Sequence, residues 1–342
     1  MKKRFRVAVV GATGAVGHEM RSILAERRFP VSELIPLASA KSAGIQLEFG
    51  DRCVDCQELT EHSFQGVDLA LFSAGAAVSR RFAPIAREAG CVVVDNSSAW
   101  RMDPEIPLVV PEVNPADVDW HKGIIANPNC STVQMVAVLK PLHDVARIRR
   151  VVVSTYQAVS GTGTRAVAEL IRQSDEVLEG FPPLIEIYPH QIAFNCLPHI
   201  DSFLEDGSTK EEQKMVDETK KIMGDPLIAV TATCVRVPVY NGHSESVNIE
   251  FESPLSPDMA RQILDSAAGV AVEDDPAATL YPMPINASGK DPVYVGRIRR
   301  DPTVPYGLNL WVVADNVRKG AALNAIQIAE LLVQRDLVRV PR

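Results

Sequence analysis

Cys130 is the residue whose surroundings most directly indicate covalent chemistry. It lies in the segment Asn127–Thr132 (NPNCST), between an apolar run and an apolar pattern near helical spacing. This pattern predicts a tight turn from a strand into a helix, because Pro128 stops the strand and Ser131 suits a first helical turn. A helix N-terminus favours a thiolate and so makes a cysteine nucleophilic, whereas a buried, inert cysteine is the alternative.

A nucleophilic cysteine needs a base, and His243 is the best placed of seven histidines. It follows the apolar strand pattern Cys234–Val239 and a glycine, a junction that suits a side chain facing a cleft. His199 is the competing candidate. Arg236 lies on the same predicted strand, where residues 236, 238 and 240 share one face if the strand stays regular.

A glycine-rich turn, Gly11–Gly17, follows the apolar run Val7–Val10 and opens a helical pattern that ends near Arg27. Strand, glycine turn and helix together predict a dinucleotide site, with the pyrophosphate at the helix N-terminus. The spacing is a G-x-x-G-x-x-G variant, and a plain glycine turn is the alternative. The residues expected to contact the nucleotide here are Gly11, Thr13, Gly14, Ala15 and Val16.

The residues after the second predicted strand, Leu34–Ala38, indicate which nucleotide is bound. An NAD site would place a carboxylate there for the ribose hydroxyl. This chain instead has Ser39, Lys41 and Ser42, and hydroxyls with a cation suit a 2′-phosphate. We therefore expect NADP, and a solvated loop lysine is the alternative reading of Lys41.

Strands and helices continue to alternate towards Cys130, which predicts a doubly wound parallel sheet with ligands at the carboxyl ends of its strands. Ser73 and the cluster Asn96–Ser98 fall at two of those ends. Arg101 follows, and its planar fork suits phosphate or carboxylate. A surface arginine is the alternative.

Strand patterns dominate after Cys130, which predicts a second, α+β domain with a largely antiparallel sheet and helices on one face. The segment Glu179–Asp225 is rich in proline and polar residues and is expected to be an excursion from the second domain. A strongly apolar C-terminal helix, 318–335, is expected to pack back on the first domain. We thus predict domains at 1–127, with that helix, and 128–317.

Composition excludes several classes of protein. The chain has 342 residues and a net charge of −8, with no basic block, which argues against nucleic-acid and anionic-membrane partners. Six scattered cysteines without a secretion signal favour free thiols in a reducing cytoplasm. The Cys53/Cys56 pair lacks further ligands at metal-site spacing, so no metal is expected.

The motifs together resemble the aspartate-β-semialdehyde dehydrogenases over nearly the whole chain. The residues that carry the resemblance are Gly11–Gly17, Asn96–Arg101, Asn127–Cys130, Gln157–Gly161, Arg236–Val239 and Gly242–Ser244. The resemblance implies reductive dephosphorylation of L-aspartyl-4-phosphate by NADPH through a Cys130 thioester. It further implies a place in the biosynthesis of lysine through diaminopimelate, methionine, threonine and isoleucine, and a homodimer or dimer of dimers.

The resemblance also assigns roles. Cys130 resembles the nucleophile, His243 the general acid/base and Gln157 the residue that orients substrate and thioester. For the substrate, the resemblance assigns the α-carboxylate to Arg236, the amino group to Glu211 with Glu212 as rival, and the phosphate to Arg101 and Lys214, with Asn129 beside them. For the nucleotide it assigns Ser73, Ser160, Gly161 and Asn316 in addition to the residues above. Lys41 departs from the arginine expected in the family.

Two other functions stay open from the sequence. An N-acetyl-glutamyl-phosphate reductase would catalyse the same type of reaction on an acylated amino acid. Such a substrate has no free ammonium group and therefore needs no carboxylate partner. A non-catalytic relative would retain the fold, but it should lack the thiol that this chain has at Cys130.

Overall fold

The computed structural model describes residues 3–341, which form two compact units. The first unit runs to Asn129 and takes up the chain again from Ala321, and the second is Cys130–Gly320. No helix in the described range is both long and apolar enough to cross a bilayer.

The first unit is built on a six-stranded parallel sheet in the order β5-β2-β1-β6-β7-β8. Its strands are β1 (Phe5–Val10), β2 (Val31–Ala38), β5 (Gln57–Glu58), β6 (Leu69–Phe72), β7 (Val92–Asp95) and β8 (Ile124–Ala126), and a separate hairpin is formed by β3 (Gln46–Phe49) and β4 (Arg52–Asp55). Its helices before Asn129 are α1 (Ala15–Glu26) and α2 (Ala76–Glu88), with 3-10 turns at Ala40–Ser42 and Pro115–Trp120. This sheet confirms the predicted α/β class.

β1 lies at the centre of the sheet because its apolar residues are buried on both faces. Val7, Ala8, Val9 and Val10 are all fully buried. β2 lies on one side of β1 and β6 on the other, so the strand order reverses at β1. Such a reversal opens a crevice at the carboxyl ends of the strands, where open α/β sheets bind ligands.

β2 contains Pro36, which pairs with Val9 of β1. A proline cannot donate to a ladder, so it is tolerated where one side of the strand is unpaired. That condition holds here, because β5 pairs only with Leu37 and Ala38. The strand therefore extends over Val31–Ala38, further than the sequence indicated.

The second unit contains a mixed six-stranded sheet in the order β10-β9-β11-β14-β13-β12. Its strands are β9 (Ile148–Gln157), β10 (Ala229–Arg236), β11 (His243–Phe251), β12 (Val270–Val272), β13 (Val293–Asp301) and β14 (Gly307–Ala314). Its helices are α3 (Cys130–Ala146), α4 (Thr164–Leu178), α5 (Lys210–Met223), α6 (Pro257–Asp265) and α7 (Pro284–Ala287). The four central strands are antiparallel, as predicted, but both edge strands pair in parallel.

Helices cover one face of this sheet. Along β11, His243, Glu245 and Val247 are buried, and α3 packs against this strand. Ser246, which lies between Glu245 and Val247, points to the other face of the sheet and is exposed. The alternation is that of a strand with one covered face, which the sequence predicted.

The segment Glu179–Asp225, expected to be an excursion, contains a regular element, the helix α5. Thr209 begins this helix with a capping box: its side chain accepts from the Glu212 N–H, and the Glu212 carboxylate accepts from the Thr209 N–H. Gly224, in the left-handed conformation, ends it. The start signal, a threonine three residues before a glutamate, was readable in the sequence.

The C-terminal segment completes the first unit. It begins as a π-helical turn, Arg318–Leu323, and continues as α8 (Asn324–Gln334). Ile326, Ile328 and Leu332 of α8 belong to the same buried core as β1 and α1. The predicted helix therefore exists, but its first turns are π-helical.

Asn127 is a buried amide that joins three parts of the first unit. Its Nδ2 donates to Asn96 Oδ1 (2.6 Å) and to the Ala321 carbonyl (3.3 Å). Its Oδ1 accepts from Asn324 Nδ2 (2.7 Å), and its backbone N–H donates to the Asp95 carbonyl. The end of β8 is thereby tied to the end of β7 and to the start of α8.

We expect Asn127→Ala to lower the free energy of unfolding by about 2–3 kcal/mol, because it leaves buried polar partners unsatisfied. Gln327→Ala, which removes a half-buried amide of α8 that donates to Glu112, is the control and should cost less than about 1 kcal/mol. Urea denaturation measures both. Equal losses would contradict a special role for the Asn127 amide.

Candidate active site

Cys130 is the first residue of α3, as the sequence predicted, and its side chain is partly exposed. Two other cysteines show the contrasting environment. Cys91 and Cys234 are fully buried, and burial raises the pKa of both thiols. Cys130 is therefore not one of the buried, inert thiols of this chain.

Gly320, in the π-helical turn, lies against Cys130. A Cβ atom at Gly320 would stand 2.8 Å from the Cβ atom of Cys130, closer than side chains tolerate. The absence of a side chain at residue 320 thus allows the π-helical turn to approach the first residue of α3 closely. Sequence analysis missed Gly320, since an isolated glycine near a helix start carries no specific signal.

Strand register brings three predicted site residues to one edge of the second unit's sheet. Arg236, the last residue of β10, pairs with Gln157, the last residue of β9. Ser244 of β11 pairs with Tyr156, which places His243 beside Gln157. β10 ends at Arg236, so the prediction that residues 236, 238 and 240 continue along one strand face was wrong.

His243 is fully buried, and one ring nitrogen is committed to the backbone. The Ala158 N–H donates to Nδ1 at 3.0 Å, so the neutral ring carries its proton on Nε2. Within the described residues Nε2 has no hydrogen-bond partner. Burial, assisted by the charge of Arg236, holds the pKa of His243 well below its usual value. The ring is therefore neutral at pH 7 with a donor to offer.

Arg236 is buried beside the histidine. Its Nη1 donates to the Ala158 carbonyl at 2.6 Å, and its guanidinium lies 6.0 Å from the centre of the Tyr188 ring. Nε is buried without a partner among the described residues. An arginine with spare buried donors suits a carboxylate ligand.

Gly161 faces both of these side chains. A Cβ atom there would lie 3.0 Å from Arg236 Nη1 and 3.3 Å from His243 Nε2. Glycine thus leaves space at the two groups that the register places together. His199, the competing histidine, instead stacks on Phe203 with ring centroids 4.3 Å apart.

Gln157, Glu211 and Lys214 form a connected polar group. Gln157 Nε2 lies 3.3 Å from both Glu211 Oε1 and Thr155 Oγ1, which assigns the nitrogen to that side and leaves Oε1 for another partner. Lys214 donates to Glu211 Oε2 at 3.1 Å. The sequence had not indicated that α5 brings these residues to the end of β9.

The structure separates Glu211 from its rival. Both carboxylate oxygens of Glu212 accept backbone N–H groups, from Thr209 at 2.7 Å and from Cys234 at 3.0 Å. Glu212 is thus engaged in holding α5. Glu211 is only 5% exposed and faces Gln157, which makes it the carboxylate that is directed towards the predicted site.

Two predicted substrate residues belong to the first unit. Arg101 is buried, and its guanidinium donates to the carbonyls of Asn127 (2.9 Å) and Asn96 (3.0 Å). These bonds orient the fork at the carboxyl ends of β7 and β8. Asn129, also buried, is the last residue of this unit and immediately precedes Cys130.

The glycine-rich turn has the features that a pyrophosphate requires. Gly14 is the N-cap of α1, no side chain caps the helix, and Thr13 and Gly14 are exposed. A Cβ atom at Gly11 would lie 2.7 Å from the carbonyl oxygen of Ser73, so this turn packs directly on the end of β6. The open helix N-terminus fits the phosphates of a dinucleotide.

The predicted 2′-phosphate residues lie at the same edge of the sheet. The Gly11 N–H donates to the Leu37 carbonyl at 2.8 Å, which joins the glycine turn to the end of β2. Ser39 and Lys41 follow directly and are exposed, on and beside a 3-10 turn. Because this turn carries a cation and no acidic residue, it fits the 2′-phosphate of NADP better than the bare 2′-hydroxyl of NAD.

Ser160 and Asn316 have a structural function in the second unit. Asn316 Nδ2 donates to Ser160 Oγ at 2.9 Å, and its Oδ1 accepts from the Gly242 N–H at 2.9 Å. Asp315, which sequence analysis missed, accepts from the Asn241 side chain and the Gly289 N–H, both at 2.7 Å. Together they hold the turn that precedes His243.

Two further features bear on the site's chemistry. Glu245, two residues after His243, is fully buried, and burial raises the pKa of its carboxyl well above the usual range. Nothing in the sequence singles out Glu245.

Among the described residues, no group of three or more histidine, cysteine, aspartate or glutamate side chains is arranged to bind a metal.

Comparisons with known proteins show the family to which the chain belongs. Residues 6–121 match the model of the semialdehyde dehydrogenase NAD-binding domain, and residues 139–319 match that of the semialdehyde dehydrogenase dimerisation domain. The chain is 58% identical to the aspartate-semialdehyde dehydrogenase of Aquifex aeolicus, over 98% of this chain and 99% of that protein.

Solved structures give the same result. The crystal structure of aspartate semialdehyde dehydrogenase II from Vibrio cholerae, complexed with ASA, superposes with a TM-score of 0.95 at 49% identity, over 97% of this chain and 99% of that one. The enzyme from Candida albicans with NADP gives 0.76 at 26% identity, over 98% and 100%. The chain therefore belongs to the aspartate-semialdehyde dehydrogenase family.

Proposed function

We propose that this oxidoreductase catalyses the NADPH-dependent reductive dephosphorylation of L-aspartyl-4-phosphate to L-aspartate 4-semialdehyde, through a thioester on Cys130. Family membership supports a semialdehyde dehydrogenase of amino-acid biosynthesis. The observation that carries the finer proposal is the strand register, which sets Arg236, Gln157 and His243 side by side. The product would supply the synthesis of lysine through diaminopimelate, methionine, threonine and isoleucine, in the cytoplasm.

The first step is acyl transfer to sulfur. The Cys130 thiolate attacks the acyl-phosphate carbonyl, the carbon–sulfur bond forms and phosphate leaves with the electrons of the carbon–oxygen bond. Backbone N–H groups in the first turn of α3 suit the oxyanion that develops.

His243 acts on the oxygen that gains negative charge. Because its Nδ1 accepts from Ala158, its neutral ring donates a hydrogen bond from Nε2–H to that oxygen, and it acts as general acid only when protonated to the imidazolium, since proton loss from the neutral ring would leave an imidazolate. Its lowered pKa keeps it neutral at the start of this cycle. A nicotinamide nucleotide, when bound by the residues named below, would supply the hydride for reduction of the thioester.

Each charged group of the substrate is paired with side chains of opposite charge. Arg236 binds the α-carboxylate, Glu211 the ammonium group, and Lys214 with Arg101 the phosphate. Gln157 Oε1 orients the substrate, because its Nε2 is already held by Glu211 and Thr155. Asn129 adds a polar group directly before the nucleophile.

NADP is the proposed nucleotide. The phosphates would be held by Gly11, Thr13, Gly14, Ala15 and Val16, with Ser73 beside them, and the 2′-phosphate by Ser39, Lys41 and Ser42. The family model for residues 6–121 supports a nicotinamide nucleotide, and the Candida albicans relative was solved with NADP. Ser160, Gly161 and Asn316 complete the proposed cofactor set.

A homodimer, or a dimer of such dimers, is the proposed assembly. The match of residues 139–319 to a dimerisation domain supports it. The face of the second sheet opposite α3 carries Tyr156, 38% exposed, whose ring lies 5.4 Å from that of Trp311. Aromatic side chains on an uncovered sheet face are typical of protein interfaces.

Cys130→Ser should lower kcat for phosphate-dependent NADP reduction by about 10³-fold or more, because an alkoxide is not available at neutral pH. The assay supplies semialdehyde, phosphate and NADP and follows NADPH absorbance. Cys196→Ser, at an exposed cysteine, is the control and should retain full activity. Full activity of the Cys130 variant would exclude the thioester.

Glu211→Gln should raise the KM for the semialdehyde about tenfold, because a buried ammonium loses its counter-charge. Glu212→Gln removes the same charge one residue away. Glutamine retains one of the two acceptor oxygens of Glu212 and can still cap α5 at Thr209, so the KM of this variant should stay near that of the unaltered enzyme. An unchanged KM in Glu211→Gln would refute the ammonium assignment and favour an N-acylated substrate.

Lys41→Gln should lower kcat/KM for NADPH by about fivefold to tenfold and leave that for NADH unchanged, because only NADPH carries the 2′-phosphate. The unaltered enzyme should prefer NADPH. Equal kcat/KM values for NADPH and NADH, both before and after the substitution, would show that residues 39–42 do not bind the 2′-phosphate.

A further inference from the structure

Lys214 lies between two carboxylates. Its Nζ donates to Asp201 Oδ2 at 2.7 Å and to Glu211 Oε2 at 3.1 Å. An ammonium group has three N–H donors, so these two bonds leave one donor for a further acceptor. The side chain is only 24% exposed, so its direction is restricted by its surroundings.

Asp201 is held in this place by the backbone around it. The Lys210 N–H donates to the Ser202 carbonyl at 3.0 Å, and Phe203 pairs with Thr209 across an isolated bridge. These contacts fasten the residues after Asp201 to the start of α5, the helix that carries Lys214. The position of the carboxylate is therefore built into the fold.

The backbone of Asp201 is also in an uncommon conformation, with φ of 68°. A non-glycine residue in this left-handed region costs about 1 kcal/mol, and aspartate and asparagine tolerate it best. Such residues are concentrated at functional sites. The conformation directs the carboxylate at Lys214, and the Ser202 N–H donates to its other oxygen at 2.8 Å.

Both partners stay charged. Burial opposes the charge on Lys214, but Glu211 and Asp201 together raise its pKa above the usual value. Burial likewise opposes ionisation of Asp201, yet Lys214 and the Ser202 N–H hold the pKa of that carboxyl below its usual value, with a smaller contribution from Lys210. The group is an ion triad, not a set of neutral hydrogen bonds.

We propose that Asp201 is a positioning residue of the phosphate site: with Glu211, it takes two of the three N–H donors of Lys214 and directs the third towards the substrate phosphate. This inference rests on the function proposed above, in which Lys214 binds phosphate. Asp201 touches no reacting atom and acts only through the lysine.

Asp201 also protects the other half of the site. Without it, Lys214 would be drawn wholly to Glu211, three residues earlier on the same helix, and would neutralise the carboxylate that the substrate ammonium needs. The negative charge of Asp201 repels phosphate in turn, but its side chain is 37% exposed, so solvent screens that effect. When Asp201 is replaced, the loss of Lys214 orientation therefore weakens phosphate binding more than the loss of repulsion from Asp201 strengthens it.

Asp201→Asn tests the inference, because asparagine retains the size and the left-handed preference of aspartate. In the assay with semialdehyde, phosphate and NADP, it should raise the KM for phosphate about fivefold, with kcat within about twofold, as expected for loss of a partly exposed ionic hydrogen bond. Asp206→Asn removes the same charge in the same segment without touching Lys214 and should leave that KM unchanged.

A second pair of variants separates positioning from general loosening. Lys214→Met should raise the KM for phosphate strongly, and adding Asp201→Asn to it should have no further effect, because Asp201 acts only through the lysine. The thermal shift on adding inorganic phosphate to each holoenzyme gives a readout independent of turnover. It should shrink in Asp201→Asn and not in Asp206→Asn.

A lower KM for phosphate in Asp201→Asn would show that Asp201 competes with phosphate and would overturn the inference, as would equal behaviour of the Asp201 and Asp206 variants. Additive effects in the double variant would do the same. Failure of the proposed function looks different: the unaltered enzyme would then show no phosphate-dependent NADP reduction, and both proposals would fall together.

Discussion

A single peptide unit, that of Ala158, sets the geometry on which the candidate site depends. Its N–H donates to His243 Nδ1, and its carbonyl accepts from Arg236 Nη1. Ala158 directly follows Gln157 at the end of β9, with β10 and β11 on either side. The main chain thus fixes the tautomer of the histidine and the direction of the arginine at once.

The effect of these hydrogen bonds depends on the burial of His243 and Arg236. His243 and Arg236 are both buried, so burial and the arginine charge together keep the histidine neutral. Each still has one buried nitrogen without a partner in the described range, and such groups are costly unless a ligand satisfies them. Gly161, which lies against Arg236 Nη1 and His243 Nε2, leaves space beside these two side chains. The site is therefore organised before substrate arrives.

The sequence predicted features that depend on local patterns. The start of α3 at Cys130 follows from Pro128 and the apolar spacing, and the first sheet follows from runs such as Val7–Val10. It could not predict long-range placement: that α5 brings Glu211 to Gln157 depends on packing across more than fifty residues of sequence, although the Thr209 cap was readable. The end of β10 at Arg236, where regular alternation was expected, is set by pairing with β9, which periodicity alone does not reveal.

In the proposed reaction, Cys130 carries the acyl group as a thioester. Incubating the enzyme with semialdehyde and NADP, in the absence of phosphate, should leave the oxidised substrate on sulfur, because no acceptor can release it quickly. Mass spectrometry of the rapidly quenched protein should then show the added mass of one aspartyl group on the peptide that contains Cys130. A protein that reduces NADP but carries no adduct, or carries it on another residue, would contradict the account.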